Sequence, residues 1–269
     1  LGCALENLLI AAEYYGYQIS LTYFTHGEAD FPTVKIMCSH IERRPAAEKN
    51  HLIFSIPQRR TNRNKYEDKF PPEDFLSRIK NYGDDNTQVI VVQDKVIKAR
   101  IADIVNTALI TAMNSKGFRN ELSRYLKTNI TRSKVGMPAA GFGIPTPVSL
   151  IAPFMISYIN VNRLSRRKDE ELLKRFTPLF VLITTRTDTK KDWIRSGQLY
   201  EHIALEAERK GLKTAPMAAA IQIGTFHSDI KDVLNIFSRP QVFFRIGYTE
   251  YPAPTSPRLS IKEVVTRLQ

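Results

Sequence analysis

The sequence predicts an α+β fold, a mixed layer of strands and helices. Two observations carry that reading. Short apolar runs, "VIVV" at Val89 to Val92, "LFVLITT" at Leu179 to Thr185 and "VFFRIGY" at Val242 to Tyr248, are separated by segments with helical apolar spacing. A stretch near the start also recurs 195 residues later (Gly2 against Gly197), with a strand pattern after each copy. The 269 residues can bury one large core or two modest ones. Strands separated by helices argue for a layered fold rather than a barrel of eight regular units.

The first element is one copy of the repeat. "GCALENLLIAAEYYG" (Gly2 to Gly16) aligns with "GQLYEHIALEAERKG" (Gly197 to Gly211), so that Glu6 meets Glu201, Ala12 meets Ala207 and Glu13 meets Glu208. Leu5, Leu8 and Ala12 share one helical face, as do Tyr200, Ile203 and Ala207, and each segment stops at a glycine, a C-terminal helix signal. Downstream, "PTVKIMC" (Pro32 to Cys38) resembles "PQVFFRI" (Pro240 to Ile246), both strand patterns after a proline. Two amphipathic helices share apolar spacing by helix grammar alone. The matched glycines, glutamates and following strands favour a duplication. Residues 1–52 then read as the C-terminal remainder of a first module, and 53–269 as a second, complete one.

In the second module a helix leads into "PQRRTNRNKYEDKF", which holds Arg59, Arg60, Thr61 and Arg63. Pro71, Pro72, Glu73 and Asp74 start the next helix, with prolines and acids in its first turn. A strand is expected from about Gln88 to Gln93, a long helix over Ile97 to Met113 and a shorter one over Arg119 to Lys127. "SKVGMPAAGFGIPTPVSL" (Ser133 to Leu150) is rich in glycine and proline and reads either as a lid or as a plain connector. The strand at Leu179 to Thr185 then precedes the second copy of the repeat helix. The strand at Val242 to Tyr248 precedes a proline-rich tail, "TEYPAPTSPR", and a last short helix.

Composition narrows the function classes. An apolar fraction of 43% and a charged fraction of 25% are ordinary for a globular protein. No apolar run reaches the roughly 18 residues of a membrane span, and the reading is of no membrane partner. Two cysteines, Cys3 and Cys38, and five scattered histidines offer neither a disulfide framework nor metal-ligand spacing. A reducing cytoplasm is the expected location. The net charge of +12 and pI near 9.7 admit nucleic acid, anionic lipid or phosphorylated small molecules. No nucleic-acid motif accompanies the basic residues, so nucleic acid is not expected as a partner. A solvated basic surface accounts for most of the lysines.

Several local patterns are weaker than they look. Gly141 and Gly143 lack the third glycine and the preceding strand of a dinucleotide fingerprint. His227, Ser228 and Asp229 do not mark a triad, and a helix-capping role for Ser228 or Asp229 is the simpler expectation. Trp193 is expected in the core. The cluster Arg59, Arg60, Thr61, Arg63 remains, since guanidinium groups grip phosphates and carbonyls in pairs and stay charged at any working pH. As pattern alone it leaves flavin, nucleotide, lipid headgroup and a solvated helix face open.

A resemblance selects among them. "RRTNRNKYEDKFPPEDF" is similar to the opening signature of the flavin-dependent nitroreductase superfamily. "LGCALENLLIAAEYYGY", "SKVGMPAAGFGIP", "PLFVLITTRTDTKKDWIRSGQLYEHIALEAERKGLKTAPM" and "RPQVFFRIGYTEYPAPTSPR" resemble its twin-module, Acg-type branch, in order along nearly the whole chain. The resemblance implies a nitroreductase-like α+β sandwich. Its members are ordinarily homodimers, and a duplicated chain resembles that dimer fused into one polypeptide, a pseudo-dimer. It implies flavin mononucleotide (FMN) as cofactor, NAD(P)H as hydride donor, and a small-molecule electron acceptor such as a nitroaromatic or quinone.

Carried over motif by motif, Arg59, Thr61 and Arg63 match positions at the flavin's pyrimidine edge and ribityl-phosphate chain, with Arg60 a weaker candidate. Arg258 in "TSPR" matches a phosphate-binding cation. The turn "APMA" (Ala215 to Ala218) matches the segment passing flavin N5, with a backbone N–H of Met217 or Ala218 as donor. Two departures stand. Alanines fill Ala218 to Ala220, where the family often has glutamate and glycine. "NYGDDNTQ" (Asn81 to Gln88) replaces the family's serine-asparagine-glutamine-proline-tryptophan loop. The twin-module branch also includes proteins resembling flavin stores with a covering lid, for which 133–150 is the candidate. A flavin-sequestering protein without turnover is therefore the alternative, and a flavin-free scaffold a third reading.

Overall fold

The computed structural model describes residues 1–24, 34–40, 50–160 and 162–265. His26 and Pro32 lie outside them. Thirteen residues, Gly2–Tyr14, form α1, followed by the antiparallel pair β1 (Tyr17–Tyr23) and β2 (Val34–His40). A short 3-10 helix, His51–Ser55, leads into the arginine segment. Then come α2 (Glu73–Lys80), β3 (Thr87–Val92), α3 (Lys95–Asn114) and α4 (Lys116–Tyr125). The strands β4 (Leu126–Lys127) and β5 (Met137–Pro138) form a parallel pair, and a 3-10 turn (Ala139–Phe142), α5 (Thr146–Ser149), α6 (Ala152–Tyr158) and α7 (Asn162–Lys174) follow. The chain continues through β6 (Leu179–Thr185), α8 (Lys190–Arg209), β7 (Lys213–Pro216), α9 (Ala219–Gln222), α10 (Phe226–Leu234), β8 (Arg239–Gly247) and α11 (Ile261–Val264).

The main sheet runs β3-β6-β8-β7 with antiparallel neighbours throughout. All seven residues of β6 are buried, as a strand covered on both faces requires. Period-two alternation sends Leu179, Val181 and Ile183 to one layer with α2 and α8, and Phe180 and Leu182 to the other with α3, α9 and α10. The result is the expected α+β sandwich. The helix starts follow local chemistry. Asp94 accepts from the N–H groups of Val96 and Ile97, and Thr189 with Asp192 forms a capping box on α8.

The helix pair named by the repeat packs together. The two leading glycines let the backbones approach, since a Cβ on Gly2 would stand 2.8 Å from Gly197 Cα. The contacts are reciprocal. Asn7 Nδ2 donates to Glu201 Oε1 (3.2 Å) and His202 Nδ1 meets Glu6 Oε1 (2.8 Å), and the offset of 195 carries Glu6 to Glu201 and Asn7 to His202. Both terminal glycines are left-handed, Gly16 at φ 80 and Gly211 at φ 76. The pairings Gln18 with Ser39 and Lys213 with Gly247 are related by the same 195 and by the Pro32-to-Pro240 offset of 208. Leu8 departs from the pattern, being 44% exposed where its counterpart Ile203 is buried, because α8 lies between the sheet and α1.

Three sequence expectations need correction. The helix expected over Arg119 to Lys127 starts earlier, capped by the Ser115 hydroxyl on the Phe118 N–H, and ends at Tyr125, because Leu126 and Lys127 pair with β5. Trp193 is not a core residue. It is 53% exposed and its indole N–H donates to Asp188 (2.7 Å). Ser228 and Asp229 lie inside the first turn of α10, whose cap position is Thr225, so neither is the cap residue. The segment 133–150, left open as lid or connector, is held by Asn129, which accepts from the Ala140 N–H (2.5 Å) and donates to the Ile144 carbonyl (2.9 Å).

Candidate functional site

The arginine segment is built onto the edge of the main sheet. Thr61 bridges Thr214 of β7 in parallel, and the Asn62 N–H donates to the Thr214 carbonyl (3.0 Å). Asn62 is fully buried. Its amide donates to the Tyr251 carbonyl (2.7 Å), and Asn64 reaches the Tyr251 and Pro252 carbonyls. These bonds lay the proline-rich tail beside the cluster. Sequence reasoning missed Asn62, and the only sign was a polar residue between Thr61 and Arg63.

A cavity of about 180 Å3 opens there, lined by Arg59, Arg60, Thr61, Arg63 and Arg258 together with Gly141 and Phe142. A second, of about 450 Å3, shares Thr61, Arg63, Gly141, Phe142 and Pro254 with it and extends to the turn Ala215 to Ala218. The structure thus brings all seven sequence candidates to two adjoining cavities. The 133–150 segment contributes to the walls of both.

Individual geometry sorts the candidates. Arg59 does not point a free guanidinium into the cavity, since its Nε donates to the buried carboxylate of Glu201 at 2.9 Å. Arg60 folds back on its own turn, donating to the Pro57 and Gln58 carbonyls. Arg258 donates to the Ser256 and Pro257 carbonyls. Arg63 stacks over Phe142, its Cζ 4.8 Å from the ring centroid, with a long bond to the Gly141 carbonyl (3.5 Å). Burial pushes its guanidinium pKa below the usual arginine value. The Met217 N–H is already spent on the Phe243 carbonyl (2.8 Å), which leaves Ala218 as the N–H candidate of that turn.

The cavity also holds an arginine that sequence reasoning passed over. Arg245 lies in β8 between Phe244 and Ile246, is 2% exposed, and lines the 450 Å3 cavity. A single cation inside the apolar run "VFFRIG" was the available signal. Nearby Tyr66 is buried and donates its hydroxyl to the Asn62 carbonyl (2.7 Å), and burial raises its pKa. Tyr200, bonded to Thr214 behind the sheet, is pushed up to about 12 by the same desolvation. Both phenols therefore stay neutral beside the cations.

Chemically the arrangement can hold an anion at one end and a flat ligand along an apolar wall of Val105, Leu109 and Leu172. No group of three or more histidine, cysteine or acidic side chains suits a metal ion among the described residues, and none of their helices is long and apolar enough to cross a membrane.

No protein-family model matches the chain, and comparison with curated proteins gives no match. Solved structures do resemble it. The FMN- and NADPH-dependent nitroreductase NfnB from Sphigopyxis sp. strain HMH aligns over 81% of this chain and 99% of its own, at 13% identity and a TM-score of 0.53. The FMN-dependent nitroreductase NfnB from Mycobacterium smegmatis, solved with NADPH, aligns over 80% and 96%, at 14% identity and a TM-score of 0.51. Oxidised iodotyrosine deiodinase, solved with FMN and 3-iodo-L-tyrosine, aligns over 81% and 98%, at 15% identity and a TM-score of 0.50. At such identities the likeness speaks for architecture, and the architecture of this chain is the nitroreductase-like α+β fold.

Proposed function

We propose that the chain is an FMN-dependent oxidoreductase taking hydride from NAD(P)H and passing it to a small-molecule acceptor of the nitroaromatic or quinone class. One observation carries the reading: cations from two distant segments and the 215–218 turn meet around adjoining cavities on a fold shared with FMN enzymes. The residues suit FMN. The larger cavity is within the roughly 300–1,000 Å3 of ordinary cofactor sites, and its lining combines an apolar wall with arginines. Arg60 and Arg258 would take the phosphate, Thr61 and Arg63 the ribityl and pyrimidine side, and the Ala218 N–H the N5 edge. Arg59 would act through its ion pair with Glu201, holding the segment in place. Bound there, FMN would supply two-electron hydride chemistry, leaving the protein to orient and charge the site.

Residues 1–52 are read as the counterpart of the α8–β7–β8 unit, and 53–269 as the cofactor-bearing module of a pseudo-dimer. The reciprocal Asn7–Glu201 and Glu6–His202 contacts support that reading, because a two-fold interface repeats each contact.

A second reading, FMN sequestration without turnover, draws support from Phe142 and Gly141 covering Arg63. Anaerobic addition of NADPH to the FMN-loaded protein separates the two. Bleaching of the yellow colour within seconds supports the reductase, and colour that persists supports sequestration.

A further inference from the structure

Among the described residues, Arg245 is a buried charge with no counter-ion. Its Nη2 donates to the Asn64 carbonyl (2.9 Å), its Cζ lies 4.3 Å from the Tyr66 ring centroid, and its buried Nη1 has no hydrogen-bond partner among them. Among the described residues each other buried charge has a counter-ion or several donors, although Glu206 Oε2 also lacks a hydrogen-bond partner. Glu201 faces Arg59 and Asn7, Glu206 faces Arg78, and Asp192 accepts from Asn86, Thr187 and Thr189. No carboxylate pairs with Arg245 among the described residues. Desolvation, reinforced by the charge of Arg63, pushes its pKa down. An unpaired buried guanidinium costs stability, and a hydrophobic residue of similar size would avoid that cost. An unsatisfied polar group of this kind calls for a functional explanation.

Its place in the sheet supplies one. Arg245 pairs with Ala215 on β7, and Thr214, beside Ala215, bridges Thr61. Two strand spacings, roughly 10 Å, therefore separate Arg245 from the Thr61 line. The cations then fall into two groups. Arg59, Arg60 and Arg258 belong to the smaller cavity alone, Arg245 to the larger one alone, and Arg63 to both. An occupant spanning both cavities would meet cations for a phosphate at one end and a separate, desolvated cation at the other.

Building on the FMN reading, we propose that Arg245 is the buried counter-charge of this site, set in the cavity wall toward the pyrimidine edge of the flavin and favouring its reduced, anionic form. The geometry requires no new reactant. Bound FMN would take two electrons and a proton as hydride from NAD(P)H, and the Arg245 guanidinium, in the lining of the larger cavity, would offset the negative charge added on the pyrimidine side. Arg245→Met removes the charge at similar length, and Arg245→Lys keeps it.

The test compares wild type, R245M and R245K for affinity toward oxidised FMN, by flavin fluorescence, and for two-electron midpoint potential, against a reference dye. R245M is expected to bind oxidised FMN with little change and reduced FMN roughly tenfold more weakly, which lowers the potential by about 30 mV. R245K should recover most of that shift. The flavin-free R245M protein should melt at or above the wild-type temperature, since a charge without a partner has been removed. FMN binding with an unchanged potential in R245M would overturn the assignment while leaving the FMN reading intact. An R245M chain that fails to fold would make Arg245 a structural strut and would also overturn it. A wild-type protein that binds no FMN would sink both.

Discussion

The Nε of Arg59 lies 2.9 Å from Glu201 Oε1, and the same oxygen accepts from Asn7 of α1. One buried carboxylate thus ties the arginine segment to the helix pair. The side chains are 20% and 3% exposed, so Glu201 keeps almost no water. Replacing Arg59 by Met should destabilise the fold by about 3 kcal/mol, the low end for breaking a buried pair because Arg59 retains some solvent. Urea unfolding of R59M measures it, and an unchanged midpoint would mean the carboxylate finds another donor.

Arg258 should behave in the opposite way. Its hydrogen bonds among the described residues go to carbonyls of its own turn, so R258M is expected to shift stability by less than about 0.5 kcal/mol. Loss of a charge-assisted phosphate contact should nevertheless weaken FMN binding about tenfold or more. The salt dependence of binding should fall with it. Riboflavin, which lacks the phosphate, should bind wild type and R258M alike.

The contact between Gly2 and Gly197 leaves no room for a methyl group. Gly2→Ala should cost about 1–3 kcal/mol through overpacking, with no direct effect on the cavities. Unfolding curves followed by circular dichroism would register the loss.

Asp188 gives a pH signature. The Trp193 indole (2.7 Å) and the Gln241 amide (3.0 Å) donate to its carboxylate, and Arg239 adds attraction. Together these hold its pKa below the ordinary carboxylate value, with burial acting the other way. A depressed folded value means stability that is present above the unfolded carboxyl's ~3.9 and lost as pH falls through the folded value. Asp188→Asn should therefore be less stable than wild type near neutrality, and the gap should close in acid. Thermal melts across that pH range would show the convergence.

Much of the fold was legible because local chemistry agreed with tertiary context. The continuous apolar run of β6 matched burial at every position, and the terminal glycines of both repeat helices took the left-handed conformation their placement suggested. What escaped was non-local. Leu126 and Lys127 read as a helix tail because their partner strand comes only after a loop. Trp193 read as core because size outweighed its position on the first turn of α8, where Asp188 accepts its N–H. Within the site, the cluster and Arg258 were visible as residue types, but the pairing of Arg59 with Glu201 was not. Arg245 was hidden inside a strand counted for its hydrophobicity.

The proposed function requires those cations to face a flavin phosphate and ring rather than water. The most direct measurement is titration of FMN fluorescence with the purified, flavin-free protein. Saturable quenching at one FMN per chain, weakened in R258M, is the predicted result. Fluorescence that stays unchanged at excess protein, in a sample shown to be folded by circular dichroism, would contradict it.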